Sequence, residues 1–223
     1  MSVCLGGCTS LLGIDELQLR DGAVIPPDQE AIPEDVAPDT RVPVERTITF
    51  QDGTNAYSGT RDTYIRSNPP DKGQAHGAEL IVRWENTSDK TALLRFEAIF
   101  GATAIPLTAQ IESATLHLSV ARTGTPAKLS EVLIPWTEDV SWDGFGATAG
   151  IDAADVGVFV GDVTATAATT EVDVTASVRR WLAAPETNHG WLFVPQGGIN
   201  VEIASRDVAA ITTRPSLVVR YRD

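Results

Sequence analysis

Cysteine is almost absent: the 223 residues hold two, Cys4 and Cys8, both ahead of any stretch able to form a core. No disulfide therefore staples the folded body. Two cysteines four apart, without histidine or further cysteine nearby, cannot supply the four ligands of a structural zinc site. Long apolar runs are missing too, and none approaches the roughly 20 residues that a membrane-crossing helix requires. Positive charge is scarce, with 17 Lys and Arg against 30 Asp and Glu, a formal net charge of −13. Sequence-independent binding to nucleic acid or anionic lipid rewards clustered cations, so neither is expected as a partner. Histidine is limited to His76, His117 and His189. None stands in a GxSxG, HExxH or GxxxxGKS/T pattern, so the chain reads as a non-enzyme.

What is present is one core's worth of apolar residues, 43% of the chain, at a mean hydropathy of −0.03. That composition suits a single domain plus a tail, read as a monomer. Residues 1–20 carry LGGC at 5–8, which resembles a lipobox, with Cys8 as the lipid-anchored residue. The following TSLLGIDELQL resembles the start of mature lipoproteins from myxobacterium-like bacteria. Residues 21–46 mix Pro26, Pro27, Pro33, Pro38 and Pro43 with six acidic side chains from Asp28 to Glu45. Missing backbone donors and like-charge repulsion make this an extended spacer. Membrane contact is expected through Cys8 alone, and the location as extracytoplasmic, secreted or held at the cell envelope.

From Thr47 to the end, short apolar runs recur between turn residues. Strands are expected at 47–50, 62–66, 79–84, 92–98, 114–122, 131–136, 156–160, 171–174, 191–194, 201–205 and 216–221. In ATLHLSVAR, Ala114, Leu116, Leu118 and Val120 alternate with Thr115, His117 and Ser119, the period of a half-buried strand. The period changes twice within 172–194, from strand to helix after Val174 and back to an apolar run, Trp191 to Val194, after Gly190. Val178, Trp181 and Leu182 fall on one helical face, with Thr175 placed as N-cap and Pro185 closing the turn. About two turns of helix are unstable alone, so Trp181 and Leu182 must plug the end of a sheet sandwich. The expected fold is all-β: a two-sheet antiparallel β-sandwich of the jelly-roll sort, over residues 47–223, with one short helix capping the core.

Sugar binding uses an exposed aromatic ring stacked on the pyranose, with polar groups fixing the hydroxyls. Trp136, Trp181 and Trp191 follow the core pattern. Trp142 and Phe145, in the loop SWDGFG, are the leading ligand candidates, followed by Tyr57 and Trp84. Arg61 and Arg66, with Arg83 and Arg95, alternate along neighbouring strands and would line one basic face suited to uronates. Asp62 and Asp207 are candidates for a structural calcium, which takes oxygen ligands from such loops. Glu138, Asp139, Asp143, Asp152 and Asp155 are the acids a glycosidase would draw its pair from, and a solvated acidic rim accounts for them more simply.

A set of blocks in this order resembles a known family: NAYSGTRDTYI at 55–65, ALLRFEAIFG at 92–101, IPLTAQIESATLHLSV at 105–120, IPWTEDVSWDGFG at 134–146, VDVTASVRRW at 172–181 and RPSLVVRY at 214–221. Together they look like the DNRLRE-type domain, a secreted β-sandwich similar to carbohydrate-binding module family 96 and the disaggregatase-related modules. The resemblance covers about residues 47–223. It implies a non-catalytic module of the kind that accompanies extracellular enzymes and binds polysaccharide or extracellular matrix. Where relatives often read Ser-Ser-Glu, this chain has Ala204, Ser205 and Arg206, so a site built on that glutamate is not carried over. The alternatives are a purely structural or protein-interaction sandwich and, more distantly, a glycan hydrolase or lyase.

Overall fold

Ten of the eleven apolar runs become strands where expected, and the eleventh, 131–136, is displaced, in the computed structural model, which describes residues 42–74, 76–85 and 88–223. Cys8, the LGGC motif and most of the 21–46 segment lie outside the described residues. The strands are β1 (Glu45–Gln51), β2 (Thr60–Arg66), β3 (Glu79–Val82), β4 (Lys90–Phe96), β5 (Gln110–Arg122), β6 (Ala127–Val132), β7 (Val156–Val163), β8 (Thr169–Asp173), β9 (Trp191–Pro195), β10 (Val201–Ala204) and β11 (Ser216–Arg222). The helix, α1, runs Thr175–Ala183.

Two antiparallel sheets result. One has the order β1-β11-β5-β10-β3, with β8 also paired to β5; the other is β2-β4-β9-β6-β7. The chain changes sheet at every connection except β6 to β7 and β10 to β11, which gives the expected two-sheet sandwich its jelly-roll character. Long β5 organises the first sheet: β11 pairs it over residues 110–117, β8 over 115–119, and β10 at its C-terminal end. Its Ala114, Leu116 and Leu118 point into the core between the sheets. Here the alternation in the sequence and the pleat coincide.

The central strands of the second sheet, β4 and β9, are buried on both faces, whereas the edge strand β7 is largely exposed or half-buried. The sheet's outer face carries Ile65, Leu93, Val132 and Leu192, and the long loop after β6 covers them with Trp136 and Phe145. This explains why β4 and β9 show nearly continuous burial rather than alternation. It also explains a displaced strand. The run at 131–136 was expected to be extended throughout, yet β6 occupies 127–132. Between β9 and β7 its polar Ser130 and Glu131 are enclosed while Lys128 stays exposed, and Glu131 is buried against Arg180 of α1. After Val132 the chain leaves the sheet and turns back over it, where Trp136 Nε1 donates to the His189 carbonyl at 2.7 Å.

The helix seals the core as its pattern demanded. Ser177, Val178 and Trp181 are buried, Leu182 packs at the margin, and the Trp181 ring lies 4.8 Å from that of Trp191. Trp191 Nε1 donates to Ser177 Oγ at 3.3 Å. The cap differs from expectation: Val174 holds the N-cap position, and Thr175 is already helical. Its hydroxyl accepts from the Ala114 amide at 2.8 Å, tying the helix to β5, while Asp173 Oδ1 accepts from the Thr175 amide at 2.9 Å. Those bonds from Thr175 hold the Asp173 carboxyl below its ordinary range. Gly190, at φ +77, then lets the chain re-enter β9 so close to Leu94 that a Cβ would collide with the Leu94 carbonyl oxygen.

Candidate functional site

The four candidate aromatics part company. Phe145 is fully buried, which corrects its assignment as an exposed ring: the loop folds inward because the outer face of the second sheet is apolar and must be covered. Trp142 is half-buried beside Ile151, and Gly150, at φ +91, makes the room, since a Cβ there would lie 2.7 Å from the indole. Trp84 stands free, 57% exposed. With Asp89, Thr91, Pro195 and Gln196, these two tryptophans line an open cleft of about 420 Å³ on the outer side of the second sheet.

The cleft is built on fixed backbone. The Trp84 amide donates to the Gly197 carbonyl at 3.0 Å, which joins the end of β3 to the turn after β9. Asp89 pins the β3–β4 turn: its Oδ1 accepts from the Glu85 amide at 2.8 Å, and its own amide donates to Ser67 Oγ at 2.8 Å. Asp89, Thr91, Pro195 and Gln196 went unforeseen. Their one sequence signal is position: each lies at or beside the end of a strand next to a turn.

Tyr57 and Arg61 lie elsewhere, at the opposite end of β4, in a cavity of about 650 Å³. Tyr57 Oη donates to the Glu97 carbonyl at 2.9 Å, and burial pushes its phenol well above the ordinary range. Arg61 pairs with Glu97 at 3.0 Å.

The expected single basic face is not formed. Arg61 and Arg66 are five apart on a strand of unbroken register, so they point to opposite faces. Arg61 sits across from Arg95, and both engage Glu97; Arg95 also lies 5.0 Å above the Trp136 ring. Arg66 sits across from Lys90, which bridges to Arg83, giving a row of three cations. Arg83 is paired with Glu85, whereas Arg66 and Lys90 have no ion pair among the described residues.

Asp62, Glu138, Asp207, Asp152 and Asp155 have structural partners. Asp62, 2% exposed, accepts the Arg206 amide at 2.6 Å, and burial pushes its carboxyl up to about 7. Glu138 accepts from the Asp62 amide at 3.3 Å and lies 2.9 Å from Arg206 Nε. Asp207 lies 3.9 Å from the same guanidinium and 3.7 Å from His76. A cation here would compete with Arg206, and among the described residues no three His, Cys, Asp or Glu side chains are grouped to hold a metal. Of the remaining acids, Asp155 is buried and accepts the Asp152 amide at 2.9 Å, and Asp152 takes the Thr148 hydroxyl.

A rigid two-sheet sandwich presenting a tryptophan-lined cleft defines a class, the small β-sandwich recognition modules. The chain belongs to one family among them: the model of carbohydrate-binding module family 96 matches residues 54–221. Members are binding modules for carbohydrate, generally without catalysis. No similar protein was found among curated sequences.

Proposed function

We propose that this module binds a polysaccharide chain in the cleft between Trp84 and Trp142, and does so outside the cytoplasm without acting on its ligand. The observation that carries the reading is the Trp84 indole, more than half exposed on a backbone held by hydrogen bonds at both ends of its turn. A flat exposed ring can stack on a sugar face, and Asp89, Thr91 and Gln196 offer both donors and acceptors to the hydroxyls. The cleft is open, which suits the interior of a polymer.

Electrophoresis through gels containing neutral β-glucan, xylan, galactomannan or alginate tests this. At least one polymer is expected to retard the protein, and Trp84→Ala to weaken retention about tenfold, the loss of one stacked ring. Equal mobility of Trp84→Ala and the unaltered protein in the retarding gel removes the cleft from the reading. A protein-interaction role has its own support in Val158 and Phe159, exposed on the edge strand β7 beside exposed Leu133. Indifference to all four polymers would favour that role.

The tether belongs to the same proposal. Cys8 of LGGC is lipidated and holds the module at the envelope through the acidic, proline-rich segment. Cys8→Ser is expected to move the protein from the membrane to the soluble fraction when the full chain is produced in a host that processes lipoproteins; unchanged partitioning overturns the anchor.

A further inference from the structure

The cavity at the Tyr57 end of β4 is separate from the Trp84 cleft. Thr91 lines the cleft and Glu97 the cavity, six residues apart on an extended strand, or about 20 Å. Its volume of about 650 Å³ falls within the range of small-molecule sites.

Three of its lining residues hold unusual backbone. Asn55, Ala56 and Ala98 have φ of 50, 60 and 52. A left-handed residue with a Cβ costs about 1 kcal/mol or more, and alanine has no polar side chain to offset it. Neighbouring bonds enforce the geometry. The Gly53 amide donates to the Tyr57 carbonyl at 2.9 Å, the Glu97 amide to the Gly59 carbonyl at 2.7 Å, and Tyr57 Oη to the Glu97 carbonyl. Two loops are thereby laced into one preformed wall. Alanine or serine at 56, 58, 98 and 104 keeps the space open.

The chemistry of the lining selects the ligand. Its floor is aromatic: Tyr57 packs edge-on against Phe50 at 5.3 Å and stacks with Phe96 at 6.5 Å. Its polar side is the Arg61–Glu97 pair, with the guanidinium further fixed by the Ser58 and Thr60 carbonyls at 3.1 and 3.0 Å. An anion meets Glu97 there and a cation meets Arg61, so neither gains. A hydroxyl is donor and acceptor at once and is served by both members of the pair. An apolar face with a rim of hydroxyls is the surface of an uncharged sugar. We infer that this cavity is a second carbohydrate site, specific for a neutral mono- or oligosaccharide, and that the module is bivalent. The inference rests on the carbohydrate reading of the family but not on the Trp84 cleft.

The test uses saturation-transfer NMR on a mixture of neutral gluco-, xylo-, manno- and galacto-oligosaccharides, followed by calorimetry on the sugars that respond. Thr103→Trp fills the cavity from an exposed position, and Ser58→Trp does so from another exposed position in its lining, so neither burdens the core. Trp84→Ala is expected to keep a saturable response to a neutral oligosaccharide. Adding Thr103→Trp or Ser58→Trp to Trp84→Ala is expected to weaken it at least tenfold, with the melting temperature unchanged. Full response in both filled variants overturns the second site while sparing the Trp84 cleft, as does a response abolished by Trp84→Ala alone. Absence of any response or polymer retention in the unaltered protein defeats both sites together.

Discussion

Trp181→Ala is expected to lower the free energy of unfolding by about 3–5 kcal/mol, the range for deleting a large buried aromatic. For a domain of this size that corresponds to a fall in melting temperature of roughly 6–20 °C. The indole is 2% exposed, lies 4.8 Å from Trp191 and closes the core beside Val178. Its removal opens a cavity that neighbours cannot fill, because Ser177 is already bonded to Trp191 and Thr175 to β5. Leu182→Ala on the same helix is the internal comparison and should cost clearly less, since Leu182 only flanks the core. Urea unfolding of the two variants decides the point. A loss below about 1 kcal/mol for Trp181→Ala would mean the helix is an ornament rather than a seal.

How far the fold could be read from the chain depended on whether local period and burial agreed. They agree in β5 and β11, where one face is core and one is wet, and at α1, where the period changes. They disagree in β6. Ala127–Lys128–Leu129–Ser130 has too little apolar character to announce a strand, and Glu131 is buried only because Arg180 arrives from a helix 49 residues later. The site was harder still. Trp142 and Phe145 are three apart in one loop, and nothing local says that the second would be drawn into the apolar outer face of the sheet while the first stays at its margin. The arginines Arg61 and Arg66 are five apart, an odd spacing that already sends them to opposite faces of one strand; what the sequence does not show is that Glu97 takes up both Arg61 and Arg95. Trp84 was visible as a candidate; its partners Asp89 and Gln196 come from two separate turns, which only the sheet brings together.

Asp62→Asn is expected to make stability less dependent on pH and to raise it at pH 8. The Asp62 carboxyl titrates at about 7 against an ordinary 3.8, chiefly because burial penalises its charge, with Asp207 and Glu138 adding repulsion; the Arg206 amide and guanidinium act in the opposite sense. Below about pH 4 both folded and unfolded chains hold the proton. Between there and about 7 the unfolded chain has released it and the folded one has not, so stability falls as pH rises, by roughly 4 kcal/mol at most. Asparagine presents the same oxygen to the Arg206 amide and has no proton to lose. The readout is the difference between the two proteins in urea unfolding at pH 4.5, 6 and 8, which cancels every other titrating group they share. The gap should grow with pH in favour of the variant. A variant weaker than the unaltered protein at pH 8 would show instead that Asp62 is ionised in the folded chain. Arg206 would then hold a true ion pair where β2 meets the turn after β10, and the carboxylate itself would fasten one sheet to the other.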